Sequence, residues 1–460
     1  MTSLTLVTLL VVAYGVVSRQ GYGTALALGG ATAAGATVVV GGTAVPTFYA
    51  VALGVPVALV LRLLGRHRSA SPARETAAPA VSLLLLFLLW STVVTLVAPE
   101  LFDGMIVLTP GADSGVLTAG FLTSSNVAQM IYLVLGVCIV AFLARSPSTR
   151  PELIGLAAGA TTVLSLWRYL NQLVGLPFPE GLFDNSPTFN YIETAPNDVQ
   201  RFRGILSEPA GLAVSSLVTI SYMLPRALQL RGVRRWGAIF VAAAAFYLGS
   251  ISTSASFVVA GVAVVLIAGL AFTLGFLMRR TSVSALVSIG TCAAVIAALW
   301  VLPVVTTFVQ AVVDEKVSSS SYDDRSSSDS DSYLIFLDTF GMGVGLGTSR
   351  ASSFLPSLLS TTGLVGALLF AVAVATLVHG SAGLTRYRPV VWALVSLLVV
   401  KVVSGPDLSD SSGILWLSLG VLSHAVLEHR TGRDARPPEP PPQSGAERGA
   451  TAAPAAGPVL

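Results

Sequence analysis

The segment Arg201-Phe202-Arg203-Gly204-Ile205-Leu206-Ser207-Glu208-Pro209 holds two guanidinium groups and one carboxylate within eight residues. Guanidinium is the side chain that grips a phosphate through two parallel hydrogen bonds. A carboxylate nearby can orient or accept the proton of an attacking hydroxyl. Pro209 suits the first turn of a helix. Glu208 then falls at the helix N-terminus, where the macrodipole stabilises an anion. An interfacial salt bridge plus a helix-start acid accounts for the same residues equally well. Position tips the balance, because the segment lies where hydropathy returns the chain to a membrane, and ionisable groups at that depth are functional candidates.

A second set stands further along. Asp323-Asp324-Arg325 interrupts a Ser/Asp-rich run, Ser318 to Ser332, that reads as a solvated flexible linker. Arg325 is the only base between Lys316 and Arg350, and a lone guanidinium there could reach over the membrane surface to a phosphate. Asp324 is a further binding candidate, and Asp323 with it a reserve proton acceptor. Tyr333 to Phe340 reads as a short amphipathic helix at the interface. Gly341-Met342-Gly343-Val344-Gly345-Leu346-Gly347-Thr348-Ser349-Arg350 lacks the third glycine of GxGxxG and is not GxxxxGK[ST]. It is a tight turn, serving packing or presenting backbone amides to an anion. Arg168, in Trp167-Arg168-Tyr169-Leu170-Asn171, sits inside an apolar run. A lone arginine there costs about 2.5 kcal/mol or more unless it snorkels to the surface. His379 reads as an interfacial residue. Cys138 and Cys292 lack CxxC or metal spacing and the four histidines form no HExxH pair, so neither a disulfide framework nor a zinc site is expected.

The elements that must position these groups follow from composition. The chain of 460 residues is 53% hydrophobic and 11% charged, with a mean hydropathy of +0.79. A soluble domain carries about 25% charged residues. The expected class is an all-α polytopic membrane protein with about 12–14 transmembrane helices and long external loops. Candidate spans cover roughly 2–18, 22–42, 45–64, 79–98, 126–144, 152–175, 206–229, 236–253, 255–278, 282–304, 353–379, 387–404 and 412–428. With Arg62 to Arg74 placed inside, alternation puts 19 of the 26 basic residues on that side and 17 of the 23 acids on or near the other. The N-terminus is then outside and the C-terminus cytoplasmic. External loops fall at about 99–125, 176–205 and 305–352, and 431–460 reads as a disordered cytoplasmic tail. No removable signal peptide is evident, because no basic region precedes Leu4 to Val17. No basic stripe interleaves with aromatics, so nucleic acid is not an expected partner.

The re-entry at Arg203-Gly204 with Ser207-Glu208-Pro209, a long external loop with one central arginine, and GVGLGTSRASSFLPSLLSTTGLVGALLF from Gly343 to Phe370 resemble the O-antigen polymerase/ligase superfamily of bacterial membrane glycosyltransferases. The resemblance covers about residues 200–380 and the many-helix layout. It implies polyprenyl-pyrophosphate-linked oligosaccharides as substrate at the outer face of the plasma membrane, no cofactor or metal, and envelope-polysaccharide assembly proteins as partners. Arg203 and Arg325 match the family's two donor-binding arginines, with Arg350 a third candidate and Glu208 the candidate base. Arg201, Arg168 and Asp324 complete the expected site. The ligase branch carries a His-Asn pair where this chain has Ser352-Ser353. That departure favours a polymerase extending a surface polysaccharide over a ligase acting on another acceptor. A flippase of the same glycolipid and a non-enzymatic envelope scaffold remain as rivals.

Overall fold

Inside a bilayer every backbone polar group must be satisfied within the protein, so runs of Leu, Val, Ala and Gly of about 20 residues fold as helices. The computed structural model describes residues 2–18, 21–40, 43–58, 60, 78–108, 114–187, 189, 191, 193, 201–277 and 320–434. These are mostly helical. Six described helices are long and apolar enough to cross a membrane: Ala80–Leu101, Ser124–Arg145, Glu152–Val174, Pro209–Gln229, Ala255–Gly275 and Phe354–Ser381. Their outward faces are greasy, as Val265 at 69% and Leu270 at 61% exposure show. Water would not tolerate such surface, and lipid does.

In chain order the elements begin with α1 (Ser3–Val17), α2 (Tyr22–Ala31), β1 (Ala36–Val40), β2 (Thr43–Pro46) and α3 (Thr47–Ala52). There follow α4 (Pro79–Leu101), β3 (Ile106–Leu108), β4 (Ser114–Val116), α5 (Ser124–Arg145), α6 (Glu152–Val174) and α7 (Glu180–Phe183). The second half has α8 (Pro209–Gln229), α9 (Val233–Ile251), α10 (Ala255–Leu277), α11 (Ser320–Asp338), α12 (Phe354–Ser381), α13 (Arg388–Val403) and α14 (Ile414–Asp434). Each strand pair is an antiparallel two-stranded hairpin.

Two expectations change. The span at 22–42 is a ten-residue helix, α2, followed by β1. Thr37 to Val40 is an unbroken β-branched run, which loses side-chain freedom in a helix and favours a strand. The Ser/Asp-rich run is not a linker, because α11 begins at Ser320 and carries it into the expected interfacial helix as one element. The span at 282–304 and the tail from 435 lie outside the described residues.

Helix ends gather in two groups. At one end Leu346 N–H donates to Thr95 Oγ1 of α4 at 3.0 Å, Asn126 of α5 donates to the Leu346 carbonyl at 2.7 Å, and Gly405 N–H to the Ser352 carbonyl at 3.2 Å. At the other end the Tyr222 hydroxyl of α8 donates to the Pro151 carbonyl at 2.9 Å and Gln229 to the Thr385 carbonyl at 2.6 Å. Between them lies one large apolar core, with Trp416 of α14 fully buried in it.

Candidate functional site

Arg168 lies in the last two turns of α6 and is 3% exposed. Its guanidinium does not snorkel outward. It donates to Asp184 Oδ2 and Glu193 Oε1, each at 2.9 Å. Asp184 follows the short helix α7 as its C-cap. Arg203 enters the same cluster from the chain leading into α8. It donates through Nε to Glu193 Oε1 at 3.0 Å, through one terminal nitrogen to Asp184 Oδ1 at 3.0 Å, and through the other to Asp184 Oδ2. A further bond runs to the Leu206 carbonyl at 2.7 Å. The guanidinium of Arg203 stands 4.9 Å over the Tyr191 ring, and that of Arg168 lies 5.8 Å from the Phe178 ring.

Two guanidiniums face two carboxylates, so the cluster is formally neutral. Burial pushes the Asp184 carboxyl up, but the bonds from Arg203 and the charge of Arg168 outweigh it and hold it below the usual carboxylate range. Desolvation lowers the proton affinity of Arg203, and Asp184 more than restores it. Gly204 makes the fit: at φ +61° it lets the chain lie on α6 so closely that a Cβ would stand 2.4 Å from Ser165 Oγ. Arg203, expected as a donor clamp, is therefore spent on internal carboxylates. Such an ion cluster fixes geometry, and the guanidinium donors of Arg203 are engaged inside the protein rather than offered to a phosphate.

Arg201, two residues earlier, faces elsewhere. Its Nε donates to Thr253 Oγ1 and a terminal nitrogen to the Thr253 carbonyl, both at 3.1 Å. This ties the loop to the junction of α9 and α10. Burial lowers the proton affinity of Arg201, repulsion from Arg325 lowers it further, and Glu208 partly offsets both. Arg325 of α11 and Glu208 are thus close enough to Arg201 to act on its charge. Glu208 is the N-cap residue of α8, yet its side chain makes no capping bond. Glu208 and Arg325 are exposed. Neither has a side-chain hydrogen bond or ion pair among the described residues.

The Gly-rich turn is not an anion nest. The helix α12 is broken at Gly363, φ +68° and ψ −175°. A break strips carbonyls of their ordinary i+4 donors. The turn supplies replacements, with Val344 N–H donating to the Ser360 carbonyl at 2.8 Å and Gly345 N–H to that of Thr361 at 3.0 Å. The Trp90 indole takes the Thr362 carbonyl at 2.9 Å, and Leu364 N–H returns a bond to the Gly341 carbonyl at 2.8 Å. Gly343 N–H goes to Thr339 Oγ1 at 3.0 Å and Leu346 N–H to Thr95 Oγ1. Four successive amides are consumed, so packing is what the turn does.

Helix α11 is fastened by Asp329, one turn past Arg325. Its Oδ1 accepts Ser352 N–H at 2.7 Å and Ser353 N–H at 3.0 Å, and its Oδ2 accepts the Ser353 hydroxyl at 2.7 Å. It caps α12 from outside and ties the helix that carries Arg325 to the start of α12. Arg350 has its N–H on the Leu108 carbonyl, its carbonyl accepting the Ser328 hydroxyl at 3.2 Å and its side chain 3.9 Å from Asp407. Asp323 and Asp324 fall near the start of α11, and their side chains lie outside the described residues. Lys401 Nζ is buried on the Asp407 carbonyl at 2.7 Å and 4.0 Å from Asp410.

The partners missed in the sequence are Asp184, Glu193, Asp329 and Asp410. A signal existed for the first two. An arginine within an apolar helix demands a counter-ion, and the following loop supplies Glu180, Asp184, Glu193 and Asp198. No protein-family model and no curated protein matches this chain.

Proposed function

We propose that this chain is a polytopic membrane glycosyltransferase that extends a surface polysaccharide, transferring a glycan from a polyprenyl-pyrophosphate donor to the end of another lipid-linked oligosaccharide. The observation that carries the reading is Glu208, a carboxylate at a helix N-terminus with no side-chain bond among the described residues, whose charge acts on Arg201 as that of Arg325 does. In this reading the two guanidiniums take the diphosphate as it leaves with the bonding electron pair, where preorganised positive charge acts most strongly. An acceptor hydroxyl oxygen bonds the anomeric carbon as the carbon–oxygen bond to diphosphate breaks. Glu208 orients that hydroxyl and receives its proton. Arg203 and Arg168 are positioning residues, which set the loop carrying Arg201 and Glu208. The protein would span the bacterial plasma membrane 12–14 times, with this end outside and the C-terminus cytoplasmic.

Transport of the same glycolipid is the second reading, favoured by the break in α12 at Gly363. The carbonyls freed there already hold donors, which weighs against an ion or substrate site at the break. The test is Glu208→Gln in reconstituted membranes supplied with a polyprenyl-pyrophosphate oligosaccharide. We expect polymer formation to fall about 10²–10⁴-fold with donor binding retained. Polymerisation at the wild-type rate would remove Glu208 from the chemistry.

A further inference from the structure

The end of the bundle opposite Glu208 has an open cavity of about 610 Å³ where α6, α8 and α9 meet. Four arginines reach it: Arg150, Arg226, Arg234 and Arg386. Glu152 is the one acid in its lining, and it is engaged by Arg226 at 2.5 Å. The other three arginines are exposed and have no carboxylate partner among the described residues. The cavity thus has a formal charge of +3 from four guanidiniums and one carboxylate.

Its floor is different. Met223, Ala238 and Val241 give it an apolar wall, and α6 and α8 are two of the helices long enough to span a membrane. A water-filled cleft for a fully polar solute has no use for such a wall. A headgroup with acyl chains matches both halves, the phosphate to the arginines and the chain to the wall.

We infer that this cavity binds a phosphate-bearing anion, seated as the headgroup of an anionic phospholipid. The inference is independent of the reading of Glu208, because it concerns other residues at the other end. The test uses the full chain in nanodiscs of mixed phosphatidylglycerol and phosphatidylcholine, with retained lipid counted by native mass spectrometry. Wild-type protein is expected to keep phosphatidylglycerol selectively. The triple variant Arg150→Gln, Arg234→Gln, Arg386→Gln should weaken that retention about fivefold per arginine, on the order of a hundredfold together. Gly237→Trp gives a second arm. Gly237 lines the cavity and a Cβ there meets nothing within 4 Å, so the bulk of an indole is added at the cavity wall with every arginine retained. It should expel the lipid while inorganic pyrophosphate still binds. Equal retention of both lipids by wild type, or unchanged phosphatidylglycerol in the triple variant, overturns the inference. Pyrophosphate binding without any lipid would assign the same arginines to a free anion.

Discussion

Arg203 and Arg201 are the same residue type two positions apart, and they serve opposite ends. Arg203 is 3% exposed and closed into a neutral group with Arg168, Asp184 and Glu193. The Arg201 backbone N–H donates to the Glu193 carbonyl at 2.7 Å, but its guanidinium bonds Thr253 and shares its field with Glu208 and Arg325. A closed cluster holds shape because each charge is matched. An open one can bind, because its charges still seek partners. Arginines near a membrane surface are therefore not equivalent evidence for a site, and the counter-ion decides which kind each is.

The comparison breaks most forcefully at Asp184. Asp184→Asn leaves two buried guanidiniums facing a single carboxylate, and removal of one partner from a buried ion pair costs about 3–5 kcal/mol. The midpoint of thermal unfolding in detergent should fall sharply. An unchanged midpoint would mean that the cluster contributes nothing to the fold. Glu208→Gln, at the open group, should leave the midpoint where it was.

Gly363→Ala probes how Arg325 is delivered to the open group. A Cβ there would lie 2.2 Å from the Met342 carbonyl oxygen, at a φ that costs about 1–3 kcal/mol in a residue with a side chain. The turn, α11 and Arg325 should shift while the Arg168 cluster stays. Polymer formation should drop with only moderate loss of stability. Loss of the ion cluster in the same variant would show that the two regions are mechanically one.

Much of this layout was legible from hydropathy alone. Helices α5, α6 and α10 begin and end within two residues of the spans read from apolar runs. What escaped was decided by distant contacts. An apolar run cannot distinguish a helix from a β-branched strand, hence β1. Helix α11 is polar through its first half and is fixed by Asp329 on Ser352 and Ser353, which no local pattern announces. Arg201 and Arg203 look alike in sequence because the acids that separate them, Asp184 and Glu193, lie 10–19 residues from Arg203.

Arg201→Lys and Arg203→Lys sharpen the contrast at equal charge. Lysine offers a point charge and no planar fork. At Arg201 we expect roughly a tenfold loss of activity, about one charged hydrogen bond, with stability preserved. At Arg203 the loss should fall on the unfolding midpoint instead. Identical profiles for the two variants would erase the distinction between closed and open arginines.

The smallest expected effect is on pH dependence. The folded-state pKa of Asp184 lies below its unfolded value of about 3.9, because Arg203 and Arg168 favour the ionised form. The unfolded chain therefore takes up this proton first as pH falls. The cluster's contribution is fully present well above pH 4 and is lost progressively as pH drops through the depressed folded value. Melting curves should be flat from about pH 7 to 5 and decline below about pH 4. Asp184→Asn starts lower and should lack that part of the acid decline, since its amide does not titrate. If the variant declines as steeply as wild type, other carboxylates carry the acid sensitivity, and the closed cluster holds its geometry without setting the pH response.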